Sequence, residues 1–249
     1  MATSYGALCT DFYVEHKLAL KMDLPSERET LLHFFDQVRK RVPAMNRLRR
    51  YEGELALESS RRATSSQWLA LRRNNIRSGY INPDTMDQAY HLHQLVLESA
   101  PYHLTLSTLD VDFQEILFGF DLECKADHDR VVFDALFDNT PVAKLLNVPD
   151  AEVLDVQPIY KLALSESGDM QATFEVRTRP RGKRGSTRAY RAEPISVFLH
   201  VRKYGPLDHL DQLREGFEVI CRKAEALAND RLIPNMLTPI VREITSSSA

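Results

Sequence analysis

Apolar and polar residues alternate along two long segments, 11–23 and 111–124, and acidic side chains occur in both. The first segment also contains one histidine, His16. Such alternation predicts strands, and if the two strands pair, some of the acids converge on one sheet face. Paired carboxylates can carry out acid–base catalysis or bind Mg²⁺. The candidate catalytic residues are His16, Glu15, Asp11, Asp121 and Glu123. The alternative interpretation is a solvated face on which these acids meet lysines and arginines of neighbouring strands.

The remaining histidines do not form a metal-binding pattern. His91 and His93 are two residues apart on a predicted helix, roughly 200° around its axis, so they cannot bind one metal ion together. His93 falls on the apolar stripe of that helix and is predicted to be a hydrogen-bonded core residue. His200 shares a predicted strand face with Phe198 and Arg202 and is a further candidate. The sequence contains no nucleophile motif, phosphate-binding glycine loop or zinc-ligand spacing, so we predict no metal and no cofactor.

A strongly basic segment, 177–191, contains no acidic residue and includes Pro180, Gly182 and Gly185, which favour a loop. Its cations can neutralise phosphates, and Tyr190 can stack on a base. The candidate anion-binding residues are Arg179, Arg181, Lys183, Arg184, Arg188 and Arg191. The alternative is an inserted hairpin tip, because basic residues are common on exposed loops.

The overall composition is that of a globular protein. The chain has 249 residues, of which 43% are hydrophobic and 27% charged, and its net charge of -3 indicates neither a general polyanion binder nor a membrane-surface protein. Its three cysteines are far apart and odd in number, which favours a reducing compartment. We find no signal peptide and no apolar run long enough to cross a membrane, so a cytoplasmic location is predicted.

The alternating segments belong to a pattern that occurs twice. In the first half, strand 11–23 precedes a helix that ends at Pro43, an alternating strand over 50–58, a returning strand from Trp68, and a helix from Asn82 to Pro101. In the second half, strand 111–124 precedes a helix that begins after Asp127. Three strands near 159–165, 171–177 and 195–203 follow, and then a long amphipathic helix.

This repeated order predicts an α+β fold with two ferredoxin-like halves, 1–103 and 104–249, which can be fused into one domain. Each half is expected to contain strand, helix, hairpin and helix. The strands are expected to form one or two antiparallel sheets, with helices on one face and a long C-terminal helix.

Three stretches carry a resemblance at the level of architecture. They are the helix end 34–43, the strand-to-helix segment 79–97, and the helix 210–232. In these the chain resembles a sporadically distributed bacterial family of proteins near this length that has no assigned activity. The resemblance implies the fold and supplies no catalytic residue.

These observations favour a non-catalytic binding or assembly module that contacts another protein or a second copy of itself. An enzyme with a carboxylate and histidine site between the halves is one alternative. Contact with nucleic acid or another polyanion through the basic segment is a second alternative.

Overall fold

The computed structural model describes residues 4–60, 64–138, 140–146, 148–149, 153–178 and 193–247. The strands are β1 (Asp11–Leu20), β2 (Arg47–Tyr51), β3 (Glu54–Glu58), β4 (Ser66–Arg72), β5 (Asn75–Ile81), β6 (Val111–Leu122), β7 (Ile159–Ala163), β8 (Met170–Arg177) and β9 (Ile195–Tyr204). The α-helices are α1 (Arg28–Arg41), α2 (Met86–His103), α3 (His128–Phe137), α4 (Pro141–Leu146), α5 (Gln212–Leu227) and α6 (Thr238–Ser247). A π-helical segment, Ala228–Leu237, joins α5 to α6. The predicted long C-terminal helix is therefore confirmed.

The strands described above form a single antiparallel sheet in the order β2-β3-β4-β5-β1-β6-β9-β8-β7. This confirms the predicted mixed fold with an antiparallel sheet, and both halves of the chain contribute to that sheet. The two long alternating strands, β1 and β6, lie side by side at its centre, with Asp11 opposite Asp121 and His16 opposite Ile116.

Each half begins with a strand, and helices precede and follow its antiparallel meander. These are α1 and α2 in the first half; in the second half α3 and α4 precede the meander, and α5 and α6 follow it. The first meander has four strands, because the segment predicted as one strand over 50–58 is part of a hairpin that joins β2 to β3. Gly53 lies at its turn with a φ of 69°, a backbone conformation that glycine adopts without a steric penalty. The prediction of a single strand there is wrong, and the ferredoxin-like arrangement of the halves is not confirmed.

Alternation along β1 and β6 separates two sheet faces, which we call the covered face and the open face. The covered face carries even-numbered residues such as Phe12, Val14 and Phe118, all fully buried. Helices pack on this side, since the ring of Phe217 in α5 lies 5.1 Å from the ring of His16 in β1. The open face carries the odd-numbered residues of β1 and, from Phe113 onward, those of β6, since the register shifts between Ala19 and Leu20.

Two glycines on the open face lie beneath aromatic rings. The side chain of Tyr13 covers Gly119 on the neighbouring strand, and the side chain of Trp68 covers Gly79. A Cβ atom at either glycine would overlap the ring above it. Glycine in a strand interior costs conformational entropy, and here it allows this close approach.

Candidate interaction surface

The candidate catalytic residues do not converge on one cleft. Asp11 and Asp121 are cross-strand neighbours on the open face. Asn82 donates a hydrogen bond to Asp11 (Nδ2 to Oδ1, 2.6 Å), and Ser196 donates one to Asp121 (Oγ to Oδ1, 2.7 Å). Each carboxylate therefore has a polar partner of its own.

The other two acids of the predicted set are also apart. Glu15 lies on the open face of β1 and forms an ion pair with Arg77 of β5, with 2.6 Å between Oε2 and Nη2. Glu123 is exposed beyond the end of β6, where its backbone N–H donates to the hydroxyl of Thr10. The period of two that predicted the strand places Glu15 and His16 on opposite faces.

His16 lies within the core on the covered face. Its ring centroid is 5.9 Å from that of His93 in α2, and Ser78 forms a 2.7 Å hydrogen bond with Nδ1 of His93. The prediction that His93 is a hydrogen-bonded core residue is confirmed. Burial lowers the pKa of His16 to about 4, although a hydrogen bond with Gln114 and the charge of Glu115 act in the other direction.

The pKa of His93 is lowered well below its ordinary value, first by burial and then by His16. Both imidazoles are therefore neutral at physiological pH. The pair has Ser78 and Gln114 as polar neighbours and belongs to the buried core of the covered face. The described residues contain no group of three or more histidine, cysteine or acidic side chains positioned to bind a metal ion.

A second histidine occupies the open face between two acids. Nδ1 of His200 lies 3.5 Å from Glu115, and Nε2 lies 3.7 Å from Glu175. Arg202 donates from both Nε and Nη2 to one oxygen of Glu115, at 2.8 and 2.6 Å. Arg177 pairs with Glu175. Each acid in this cluster thus has a cationic partner beside it.

Opposing effects within this cluster act on the pKa of Glu115. Burial alone would raise it, but the hydrogen bond and charge of His200, together with those of Arg202, lower it to about 2. Arg202 also stacks over the ring of Phe113, with its guanidinium carbon 4.0 Å from the ring centroid. The arrangement stabilises ionised Glu115, and each acid of the cluster has a cationic partner within it.

Strand β7, which opens the meander of the second half, presents a different surface, which we call the β7 edge. It is an outermost strand of the sheet, and its side chains Ile159, Tyr160 and Leu162 are 59%, 48% and 49% exposed. Lys161 is the one charged residue among its five residues. An edge strand leaves one row of backbone N–H and C=O groups free to pair with another chain, and exposed apolar side chains on that strand favour such pairing.

The opposite edge strand, β2, is built differently. Its sequence is Arg-Leu-Arg-Arg-Tyr, so three of its five residues carry a charge. Tyr51 is anchored across the hairpin by a 2.6 Å hydrogen bond to Glu58. Charged side chains on an edge strand oppose edge-to-edge association. Only one of the two sheet edges is therefore suited to pairing.

The sequence predicted the strand at β7 but not that it lies at the edge. The available signal was the run Ile159–Ala163, in which apolar residues do not alternate with acids as they do in β1. The six candidate anion-binding residues, from Arg179 to Arg191, lie outside the described residues, so polyanion contact stays a prediction.

None of the helices in the described ranges is long and apolar enough to cross a membrane. Neither the models of known protein families nor the sequences of curated proteins match this chain. The resemblance to a bacterial family stays a prediction.

Proposed function

We propose that this protein is a non-catalytic assembly module, in which two copies join through their β7 edges and extend the sheet across the interface. The observation that carries the proposal is the exposed, apolar and weakly charged β7 edge. The proposed partner is a second copy, because an edge strand can pair antiparallel with its own copy about a twofold axis, which brings the same patch of both copies together.

The hydrogen-bond pattern supports pairing at this edge. The backbone N–H of Leu164 donates to Met170, and that of Val176 donates to Pro158, so even-numbered residues of this strand direct their backbone groups toward β8. Residues alternate in an antiparallel ladder. Ile159, Lys161 and Ala163 therefore direct their N–H and C=O groups outward, where a second strand can bind them.

A twofold axis at Leu162 gives the most favourable register. It sets Leu162 opposite its own copy and Tyr160 opposite Leu164 of the second copy, so apolar side chains meet on one face. It also sets Lys161 opposite Ala163. An axis at Lys161 would place two lysines directly opposite each other, which is destabilising.

The oligomeric state tests the proposal. Light scattering after size-exclusion chromatography should give a mass twice the 28.5 kDa of one chain. Leu162→Arg should yield a folded monomer, because it places two cations at the twofold axis. Leu48→Arg is the matched control, since Leu48 lies on β2 and is 47% exposed. A wild-type protein that stays monomeric at high concentration, or a dimer that survives Leu162→Arg, would overturn the proposal.

Cross-linking tests the register. Residues that face each other in a pair without mutual hydrogen bonds have Cα atoms about 4.5 Å apart, which a disulfide can span. Leu162→Cys should therefore form a covalent dimer on oxidation, whereas Tyr160→Cys should not. The wild-type protein, with its three free thiols, measures the background. A dimer that forms only with Tyr160→Cys would move the axis to Tyr160.

We further propose that the halves are structural repeats, supported by the shared order of strand, helix, meander and helix. The three free cysteines support a cytoplasmic location. Membership of the bacterial family that the sequence resembles would agree with an assembly role, since that family contributes no catalytic residue.

A further inference from the structure

An open hollow lies at the other end of the sheet, and we call it the corner groove. It has a volume of about 830 Å³ and lies between the first turns of α1, the chain that leads into them, and strands β2 to β4. Pockets that hold small molecules typically measure about 300 to 1,000 Å³. The corner groove therefore has room for a ligand of that size.

The floor of the corner groove is aliphatic. Leu55 of β3 and Leu71 of β4 are cross-strand neighbours, and Leu48 of β2 continues the surface to the edge. Leu24 and Leu31 form the facing wall. Of these, Leu48 is 47% exposed and Leu71 is buried, so the surface runs from solvent into the core.

The rim of the corner groove is cationic. Five arginines and two acids line it, and the two acids are already paired: Asp23 with Arg73 at 2.8 Å, and Glu54 with Arg72 at 2.5 Å. The other three arginines form no ion pair within the described residues: Arg28, Arg49 and Arg50. The groove thus combines an apolar floor with an excess of positive charge at its mouth.

A second hollow of similar size provides the contrast. It has a volume of about 860 Å³, lies between α2 and α5, and has one arginine against four acids: Glu98, Asp211, Glu215 and Glu218. That hollow repels anions, so an anionic ligand is directed to the corner groove by charge.

We propose that the corner groove binds a carboxylate with a single unbranched aliphatic chain, that is, a fatty acid. The chain lies on the leucine floor and the carboxylate faces Arg28 and Arg50. A guanidinium can bind both oxygens of a carboxylate, which adds geometric specificity to the charge attraction. The proposal is independent of assembly at the β7 edge, which lies at the opposite end of the sheet.

Calorimetric titration of the full chain with dodecanoate tests the proposal. We expect saturable binding at one site per chain, and weakening by about tenfold or more in the double variant Arg28→Gln with Arg50→Gln. Arg231→Gln is the matched control, because Arg231 is an exposed arginine on the C-terminal helical segment and should leave affinity unchanged. No binding by the wild type, or equal binding by the double variant, would overturn the proposal.

Two further experiments test the contributions of the leucine floor and of the arginine rim to binding separately. Leu48→Asp places a negative charge on the exposed part of the floor and should abolish binding without loss of fold, which circular dichroism checks. Octanoate should bind more weakly than dodecanoate because it buries less aliphatic surface. Dodecyltrimethylammonium has the same chain with a cationic head and should not bind. Equal binding of the cationic and anionic probes would show that the arginines do not recognise the ligand, and the proposal would fail.

Discussion

Histidines on the two faces of the sheet have different neighbours. On the covered face, the rings of His16 and His93 lie 5.9 Å apart, and burial lowers the pKa of both. On the open face, His200 lies between Glu115 and Glu175 in a cluster that also holds Arg202. The backbone is the same sheet in both cases. The helices that pack on the covered face bury His16 and His93 and lower their pKa values, whereas on the open face neighbouring cations lower the pKa of Glu115 despite its burial.

The largest expected effect compares adjacent residues of β6. Phe118 is fully buried on the covered face, so Phe118→Ala should lower the free energy of unfolding by about 4 kcal/mol. Leu117 lies on the open face and is partly exposed, so Leu117→Ala should cost about half as much or less. Urea denaturation followed by the fluorescence of Trp68, the single tryptophan, measures both. Equal costs would mean that the open face is as well packed as the covered face.

The second-largest expected effect is a loss of folding stability in acid that originates at the buried histidines of the covered face. The pKa of His16 is about 4 in the folded protein and about 6.5 in the unfolded chain, so only the unfolded chain takes up the proton between these values. Stability should therefore fall as the pH falls from about 6.5 to about 4, by up to about 3 kcal/mol from His16. His93 acts in the same direction.

His16→Gln isolates this contribution. The variant should show a shallower loss of stability over the same pH range in urea denaturation at successive pH values. His91→Gln, on the solvent-exposed part of α2, is the matched control. A pH slope that is unchanged in His16→Gln would contradict the assignment of a neutral buried imidazole.

A smaller effect is expected from the main ion pair of the open face. Glu115→Gln removes the carboxylate that pairs with Arg202 and should cost about 2 kcal/mol at neutral pH, less than for a fully enclosed pair because Arg202 is partly exposed. The pKa of Glu115 is lowered to about 2, so its stabilisation is present above about pH 4.5 and is lost as the pH falls toward 2. The stabilities of variant and wild type should therefore converge in acid. A constant difference across this range would assign the effect to packing.

The smallest effect belongs to the ion pair of Glu15 with Arg77 in the first half. Glu15 and Arg77 are 21% and 28% exposed, and one 2.6 Å contact joins them. Glu15→Gln should cost less than about 1 kcal/mol, and high salt should reduce the difference further. A cost as large as that of Glu115→Gln would remove the distinction between the two halves of the open face.

Local pattern was enough to predict much of the scaffold. The alternation of apolar and polar residues predicted β1 and β6. The acidic residue Asp127 predicted the start of α3, and in the structure its side chain accepts hydrogen bonds from the backbone of Asp129 and Arg130. The hairpin at Gly53 was missed because a two-residue turn inside an alternating segment interrupts the pattern too briefly to separate two strands. The candidate catalytic residues do not form one cleft, because His16 lies on the covered face, Glu123 lies beyond the end of β6, and the acids on the open face have separate partners.

Periodicity alone already assigns Glu15 and His16 to opposite faces, since successive side chains of any strand point in opposite directions. The helices α2 and α5, which lie far along the chain, decide which face of the sheet is covered. They therefore also decide which of these two residues is buried. The same holds for the edges. The sequence shows that Ile159–Ala163 is apolar and that Arg47–Tyr51 is charged. Their positions at the two ends of the sheet, however, follow from pairing between distant strands. Long-range pairing is set by the total burial of the folded chain, and no local segment contains that information.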